Sequence, residues 1–354
     1  MPGDPHVSVC IRAHTRTDEL AAAIASVLDQ TYGDFEVVVS DDSGRLEHVA
    51  AAFGDPRVRY HRNPDPAGPA ANLSRAVSLA RGRLIAILND DDSWLPGFLS
   101  ATVDVLDRHP DLGIVFTEDF LQVGDRRVRS RLPFAPGRHN RFLRDLLEYL
   151  LLPASSKVMR RAVWDDGERA IPVSPQVVAD PFVALRAASA SWPFYYLDEP
   201  LAISRIHAQQ VSWSDSHLPT RLVATYDAFR FDDPVCEELR RARVAESLLA
   251  RAHVLVLHRR FADAWADIGR AHMTAPRPLG LRAALALSGL RGLAMRRGAS
   301  HPWLLVALLE LWPRIRPAVL PQRAKTRPGT RRKRPSRRSA RRRRDPHASA
   351  ADSA

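Results

Sequence analysis

Three consecutive aspartates, Asp90-Asp91-Asp92, follow closely on the apolar run Leu84-Ile85-Ala86-Ile87-Leu88, and a second acidic pair, Asp41-Asp42, follows Phe35-Glu36-Val37-Val38-Val39-Ser40. Carboxylates clustered in this way are hard ligands suited to Mg²⁺ or Mn²⁺, above all where a diphosphate completes the coordination. Such a cation neutralises the charge that grows on a departing diphosphate. Side chains alternate along an extended segment, so Asp91 is expected to share a face with Asn89 while Asp90 and Asp92 point the other way. An acidic triplet also suits a solvated loop, and Asp41-Asp42 before Ser43-Gly44 suits an ordinary turn. Two acidic turns closing two apolar strands are less easily dismissed.

Those strands need a scaffold to bring them side by side. Val7-Ser8-Val9-Cys10-Ile11 reads as a buried strand, and residues 20–28 carry apolar side chains at helical spacing with Asp18 as the expected N-cap. Beyond the second strand come a helix near residues 48–53, a short strand over 58–61, a Gly/Pro turn over 63–69 and a helix over 73–80. Strand, helix, strand implies a parallel sheet, and in such sheets ligands bind beyond the carboxyl ends of the strands. Both acidic clusters should therefore line one crevice. A helix over 99–108, a strand over 113–117, an arginine-rich loop over 126–141 and the segment 158–164 lead to a helix over 177–190, with Asp180 near its start. An aspartate there also suits a helix N-terminus in its own right.

Charge is distributed very unevenly. The 354-residue chain has a formal net charge of +12, yet residues 323–344 alone hold thirteen Lys or Arg and no acid, leaving the first 322 residues close to neutral. A nucleic-acid-binding body would show basic stripes, so nucleic acid is not the expected partner. The tail offers counterion release to any polyanion, with no aromatic residue interleaved for base stacking. Two cysteines, Cys10 and Cys236, cannot build a disulfide framework or a zinc site, and Cys10 is expected to be a buried apolar residue. No basic stretch followed by an apolar run opens the chain, and no apolar segment reaches membrane-spanning length, so a cytoplasmic location is expected.

From residue 218 to about 320 the sequence is rich in Ala, Leu and Arg at helical spacing, with 243–258 and 261–272 expected to form an antiparallel helix pair. The division that follows is a catalytic domain over 1–212, an α-helical accessory domain over 213–320 and a disordered Arg-rich tail over 321–354. The amphipathic stretch 303–315 and the tail are expected to hold the chain against an anionic membrane surface.

Taken together, these residues resemble the family 2 glycosyltransferases of the GT-A fold. The first strand and loop, Val7-Ser8-Val9-Cys10-Ile11-Arg12-Ala13-His14-Thr15-Arg16, is similar to theirs. So is the run Ser26-Val27-Leu28-Asp29-Gln30-Thr31-Tyr32-Gly33-Asp34-Phe35-Glu36, followed by the paired aspartates, and so is Leu88-Asn89-Asp90-Asp91-Asp92-Ser93-Trp94-Leu95-Pro96. The resemblance spans about residues 7–212. It implies an α/β fold with a Rossmann-like, mostly parallel sheet and an inverting, metal-assisted transfer from a nucleotide-diphosphate sugar donor to a glycan, lipid-linked or small-molecule acceptor. It further implies that Asp42 holds the base, with Asp41 beside it, and that Arg12 and His14 wall the base and ribose. Asp91 would be the ligand to Mg²⁺ or Mn²⁺, with Asp90 and Asp92 flanking it and Asp92 sharing the metal. Asp180 would be the catalytic base, and Arg205 and His207 would lie at the diphosphate and the metal. The chain departs from the family pattern at Asn89, where an Asp is common, at Arg12-Ala13-His14-Thr15, and at Ser74, where an Asn is frequent.

A sugar nucleotidyltransferase also combines an α/β sheet with Mg²⁺, but its glycine-rich loop after the first strand has no counterpart in Arg12-Ala13-His14-Thr15-Arg16. A protein that binds nucleotide sugar without turnover would be compatible with Asn89, and one that binds nucleic acid would act through the basic tail.

Overall fold

A computed structural model describes residues 3–149, 152–165, 176–207 and 217–275. The expected stretch 303–315 and the tail over 321–354 lie outside the described residues.

The first half alternates strand and helix as its spacing predicts: β1 (Val7–Ala13), α1 (Thr17–Leu28), β2 (Phe35–Asp41), α2 (Glu47–Ala51), β3 (Val58–Arg62), α3 (Pro69–Leu79), β4 (Leu84–Asn89), β5 (Ser93–Trp94) and α4 (Phe98–Arg108). Then follow β6 (Ile114–Val123), β7 (Arg126–Ser130), β8 (Gly137–His139), α5 (Leu143–Tyr149), β9 (Lys157–Arg160), α6 (Arg161–Asp165), α7 (Ala179–Ser189) and β10 (Phe194–Arg205). Three helices close the described chain: α8 (Leu218–Asp227), α9 (Pro234–Leu257) and α10 (Phe261–Thr274). The arginine-rich loop expected over 126–141 in fact contains β7 and β8. β7 pairs antiparallel with the far end of β6, and β8 with β10. Arginines in β7 hid the strand, and one of them, Arg129, pairs with buried Glu118.

The strands form one sheet in the order β3-β2-β1-β4-β9-β6-β10-β5. β1 lies parallel between β2 and β4, in a register that sets Ala13 beside Asp41 and Arg12 beside Asn89. Both acidic turns therefore leave the sheet at the same edge, on either side of the loop after β1. Beyond β4 the direction changes, since β9 runs antiparallel to both β4 and β6, while β6 and β10 are parallel.

Strand alternation divides the core between the sheet's two faces. Val7, Val9 and Ile11 pack with Leu20, Ile24, Val49, Phe98 and Leu106. Cys10, Val38, Ile85 and Ile87 pack on the other face with Leu73, Val183, Tyr226 and Leu248, so α8 and α9 share a core with the sheet. Burial pushes the Cys10 thiol up to about 12, consistent with an apolar packing role. Asp18 does not cap α1: the helix begins at Thr17, Arg16 occupies the cap position, and Asp18 and Glu19 lie in the first turn, where they face the helix's positive end.

Candidate active site

The loop after β1 passes between the two acidic turns, and its backbone and side chains tie them together. On the β2 side, Asp41 accepts four hydrogen bonds, from Ser43 N (2.7 Å), Ser43 Oγ (2.8 Å), Leu46 N (2.9 Å) and Tyr60 Oη (2.9 Å). Burial alone would raise this carboxyl, but the Leu46, Ser43 and Tyr60 donors outweigh it and hold Asp41 below the usual carboxylate range. Asp42 accepts from Asn63 Nδ2 (2.7 Å) and from Gly68 N (2.9 Å). Gly68 has φ +85°, a left-handed conformation that glycine adopts without strain, and it begins α3. Asn72 on α3 completes the group, donating to Ala13 O (3.0 Å) and accepting from Asn63 Nδ2 (3.1 Å). The resemblance pointed to Ser74 in this segment, but Ser74 donates only to Ala70 O of its own helix. Asn72 is the side chain that reaches the loop.

On the β4 side the strand ends at Asn89, and Asp92 N donates to Asn89 O (3.3 Å), so the triplet is a turn. The alternation expected for an extended segment therefore fails here, and Asp90 and Asp91 converge. Arg16 Nη1 lies 2.8 Å from Asp90 Oδ1 and 3.2 Å from Asp91 Oδ2. Asp90 also accepts from the His14 backbone N (3.3 Å), while the His14 side chain is exposed. His207 Nε2 lies 3.1 Å from Asp91 Oδ2. Asp92 faces inward and accepts from Asn89 Nδ2 (3.0 Å), Ser155 Oγ (2.6 Å) and Arg205 N (3.1 Å). Burial and then the neighbouring Asp91 charge push Asp92 up to about 7, and the same two causes raise Asp90. Asp92 thus braces the turn, with both oxygens occupied. Arg205 Nε is buried and has no hydrogen-bond partner among the described residues.

Asp91 Oδ2 and His207 Nε2, set side by side, form an open donor pair. Among the described residues no three His, Cys, Asp or Glu side chains gather as a closed cage. A Mg²⁺ or Mn²⁺ ion takes one or two protein ligands and completes its shell with phosphate oxygens and water, so the pair fits a shared cation better than a structural metal.

Asp180 connects to this turn through Arg12. Arg12 donates from Nε (3.0 Å) and Nη2 (2.7 Å) to Asn89 Oδ1, and from Nη2 to Asp180 Oδ2 (3.0 Å). The other carboxylate oxygen, Asp180 Oδ1, accepts from Lys157 Nζ at 2.9 Å. Lys157 is 1% exposed and its ammonium also donates to Ala154 O (2.6 Å). Burial would raise Asp180, but the Lys157 ammonium and then the Arg12 guanidinium overcome it and hold the carboxyl well below the usual range. The helix carrying Asp180 is itself anchored from α8: Thr225 Oγ1 accepts from Val178 N (2.8 Å), at the N-cap of α7. Arg221, one turn earlier on α8, is close enough to Arg12 that burial and then that charge lower its guanidinium.

Residues 8–166 match the sequence profile described as glycosyl transferase family 2. That segment is a glycosyl transferase family 2 domain. A putative colanic acid biosynthesis glycosyl transferase of Escherichia coli K12 is 34% identical over 104 residues, 28% of this chain and 37% of that protein. The succinoglycan biosynthesis protein ExoO of Rhizobium meliloti is 34% identical over 167 residues, 46% of each. An Escherichia coli UDP-Glc:alpha-D-GlcNAc-diphosphoundecaprenol beta-1,3-glucosyltransferase is 31% identical over 102 residues, 28% of this chain and 40% of that one. The chain spans less than half the length of these curated relatives. Among solved structures, Staphylococcus aureus TarS 1-349 in complex with UDP-GlcNAc superposes with a TM-score of 0.59 at 16% identity, covering 82% of this chain and 92% of that one. A mannosyltransferase from Pyrobaculum calidifontis in complex with GDP-Man and Mn²⁺ gives 0.53 at 17% identity, covering 88% of both. At these identities the likeness shows the fold.

The family 2 match ends before Asp180, Arg205 and His207, yet the fold brings all three to the edge where the matched residues lie. The family-like run at the end of α1 has a structural purpose: Ser26 Oγ accepts from Trp94 N (3.2 Å), Gln30 Nε2 donates to Leu95 O (2.8 Å), and Thr31 N donates to Pro96 O (2.9 Å). Those three residues clamp the segment that follows the acidic turn. Sequence reasoning missed Lys157, Asn63, Asn72 and Arg16. A lysine inside a short apolar strand, Lys157-Val158-Met159, was the available signal for the first, because an unpaired ammonium is rarely buried.

Proposed function

We propose that the chain is an inverting glycosyltransferase that moves a sugar from a nucleotide-diphosphate donor to an acceptor hydroxyl, in the synthesis of a cell-surface polysaccharide or glycan. The observation that carries this reading is the continuous line of contacts from His207 and Asp91 through the acidic turn and Asn89 to Arg12 and Asp180, along one sheet edge. The donor's diphosphate would sit at Asp91 and His207, with Arg205 supplying a donor that lacks a partner among the described residues. A Mg²⁺ or Mn²⁺ ion held by Asp91 and His207 would supply positive charge to the departing diphosphate. Asp42, held by Asn63 and Gly68, and the loop after β1 would receive the base and ribose.

In the transfer, the acceptor oxygen bonds to the anomeric carbon, the bond from that carbon to the diphosphate breaks, and the acceptor proton passes to Asp180. Pairing with Lys157 and Arg12 keeps Asp180 ionised and makes it a weak base. Proton transfer is thereby deferred until the attacking oxygen has become strongly acidic through bond formation. Displacement from the face opposite the leaving group inverts the anomeric configuration.

The relatives' names support this acceptor class: one acts on alpha-D-GlcNAc-diphosphoundecaprenol, and two are named for colanic acid and succinoglycan biosynthesis. In this reading residues 1–212 are the catalytic part, 213–320 an accessory helical part and 321–354 a basic extension that touches anionic lipid at the cytoplasmic membrane face. Among the described residues no helix is long and apolar enough to cross a membrane. Thermal-shift screening of UDP-, GDP- and dTDP-sugars with and without Mn²⁺ tests the core of the proposal. One donor should give a Mn²⁺-dependent shift that Asp91→Asn abolishes, and a chain that responds to no nucleotide sugar would overturn it.

A further inference from the structure

Helix α10 shows two unlike faces. Ala264, Asp267 and Ala271 are buried against the rest of the fold. Phe261, Trp265 and Ile268, spaced i, i+4 and i+7 along another face, are 57%, 72% and 38% exposed. Isolated exposed apolar side chains need no explanation, but a stripe of two aromatics and an isoleucine on one helix does. The buried face of α10 already supplies its packing: Asp267 accepts from Arg251 Nε (2.7 Å) and Nη2 (2.6 Å) on α9. The stripe is therefore surplus to what holds the helix in place.

The charge around the stripe indicates its partner. Locally the charge is balanced, since exposed Arg260 pairs with Asp263 (2.7 Å) and Arg270 with Asp227 (2.6 Å), so the excess comes from Arg259 and from the chain that follows. Residues 276–354, which continue from this helix, hold 20 Lys or Arg against three acids, so the first 275 residues carry a net charge of −5 and the rest +17. A second copy of the chain would bring the same strongly basic extension toward itself. A bilayer rich in anionic lipid instead attracts that charge and accepts aromatic side chains at its interface, where an apolar ring with a polar edge is best accommodated.

We infer that the Phe261–Trp265–Ile268 face of α10 is a membrane-docking surface that inserts its rings into the interface of an anionic bilayer. This surface is distinct from the nucleotide-sugar site, and its binding does not depend on the donor, the cation or turnover. It also separates two contributions. Basic residues draw the chain to the surface from solution, while the stripe supplies the short-range apolar contact that survives salt.

The test uses the full chain and sedimentation with vesicles of phosphatidylcholine alone or with about 30% phosphatidylglycerol. The wild type should bind the anionic vesicles, and Phe261→Ser/Trp265→Ser, with every basic residue retained, should lower the partition coefficient about tenfold or more. Hydroxyl-radical labelling read by mass spectrometry should find Trp265 reactive in the free chain and protected on vesicles. Equal partitioning of the double variant would overturn the inference. So would protection of Trp265 before vesicles are added, which would mean that the chain's own C-terminal residues cover it. A wild-type dimer that the double variant dissociates would assign the face to a second copy and overturn it equally. Should the double variant lose its helical circular dichroism, the protection of wild-type Trp265 decides alone.

Discussion

Two turns with nearly the same composition leave the same sheet edge and are built on opposite electrostatic plans. At Asp41-Asp42 every carboxylate oxygen meets a backbone or side-chain donor, and Asp41 is held below its usual pKa. At Asp90-Asp91-Asp92 three carboxylates are crowded together, and Asp90 and Asp92 are both raised by burial and by Asp91. The first turn is satisfied without a ligand. The second concentrates negative charge that the Arg16 guanidinium offsets only in part, an arrangement that the proposed cation would complete. Counting acids would not have separated them. The donors around each turn do.

Breaking the crowded turn should have the largest effect on chemistry. Asp91→Asn is expected to lower transfer about 100- to 1000-fold, the scale associated with losing one preorganised electrostatic contact. Folding stability should change by less than about 1 kcal/mol, because a repulsive neighbour of Asp90 and Asp92 is removed along with the Arg16 and His207 contacts. Steady-state rates alongside urea denaturation would show the split, and a parallel fall in both would mean that Asp91 is merely structural.

Asp180 stands between the two plans, a buried carboxylate with two cations of its own. Lys157→Met should cost about 3–5 kcal/mol in denaturant unfolding, since one member of a buried pair is left behind. The pH consequence has a definite sign. Asp180 is depressed in the folded protein, so its pairing stabilises above the ordinary carboxylate range and is lost only as the pH falls into strong acid. Without Lys157 the depression shrinks and the acid limb of the rate profile moves to higher pH. Lys157→Arg, which retains a cation, should leave that limb near its wild-type position. A profile unmoved by Lys157→Met would show that the ammonium does not tune Asp180.

The parallel half of the fold was readable because β1, β2 and β4 are largely apolar runs, the last two closed by acids, and burial on both faces demands such runs. β7 was not readable, because three of its five residues are arginines, one of which, Arg129, serves buried Glu118, and they erase the apolar signature. Within the site, acids at strand ends could be found by eye, but their separate duties could not. Asp92 is adjacent to Asp91 in sequence and turns the other way because Ser155 and the Arg205 amide, from distant segments, together with nearby Asn89 draw it inward. Lys157 and Asp180 are 23 residues apart and meet through the antiparallel insertion of β9, a topology that spacing along the chain does not encode.

The satisfied turn should fail differently. Asp41→Ala removes an acceptor shared by two backbone amides and two hydroxyls, and leaving such donors buried is expected to cost about 2–3 kcal/mol in urea unfolding. Among molecules that remain folded, donor affinity should change little. A loss of donor binding with stability intact would place Asp41 in the nucleotide site and erase the contrast between the turns.

Asn89 provides the finest discrimination, because it stands where the family often has an aspartate and belongs to both the turn and the Arg12 contact. Its Oδ1 accepts from Arg12 while its Nδ2 donates to Asp92. Asn89→Asp keeps the acceptor and strengthens the bond to Arg12, but it replaces the donor facing Asp92 with a second anion. The lost hydrogen bond and the added repulsion should outweigh the gain by about 1–2 kcal/mol, lowering the melting temperature while transfer changes only a few-fold. An amide at this position would then be the feature that allows Asp92 to remain buried as the brace of the turn. If Asn89→Asp instead raises both stability and transfer rate, Asp92 is not a brace, and the turn is short of charge where the contacts say it is replete.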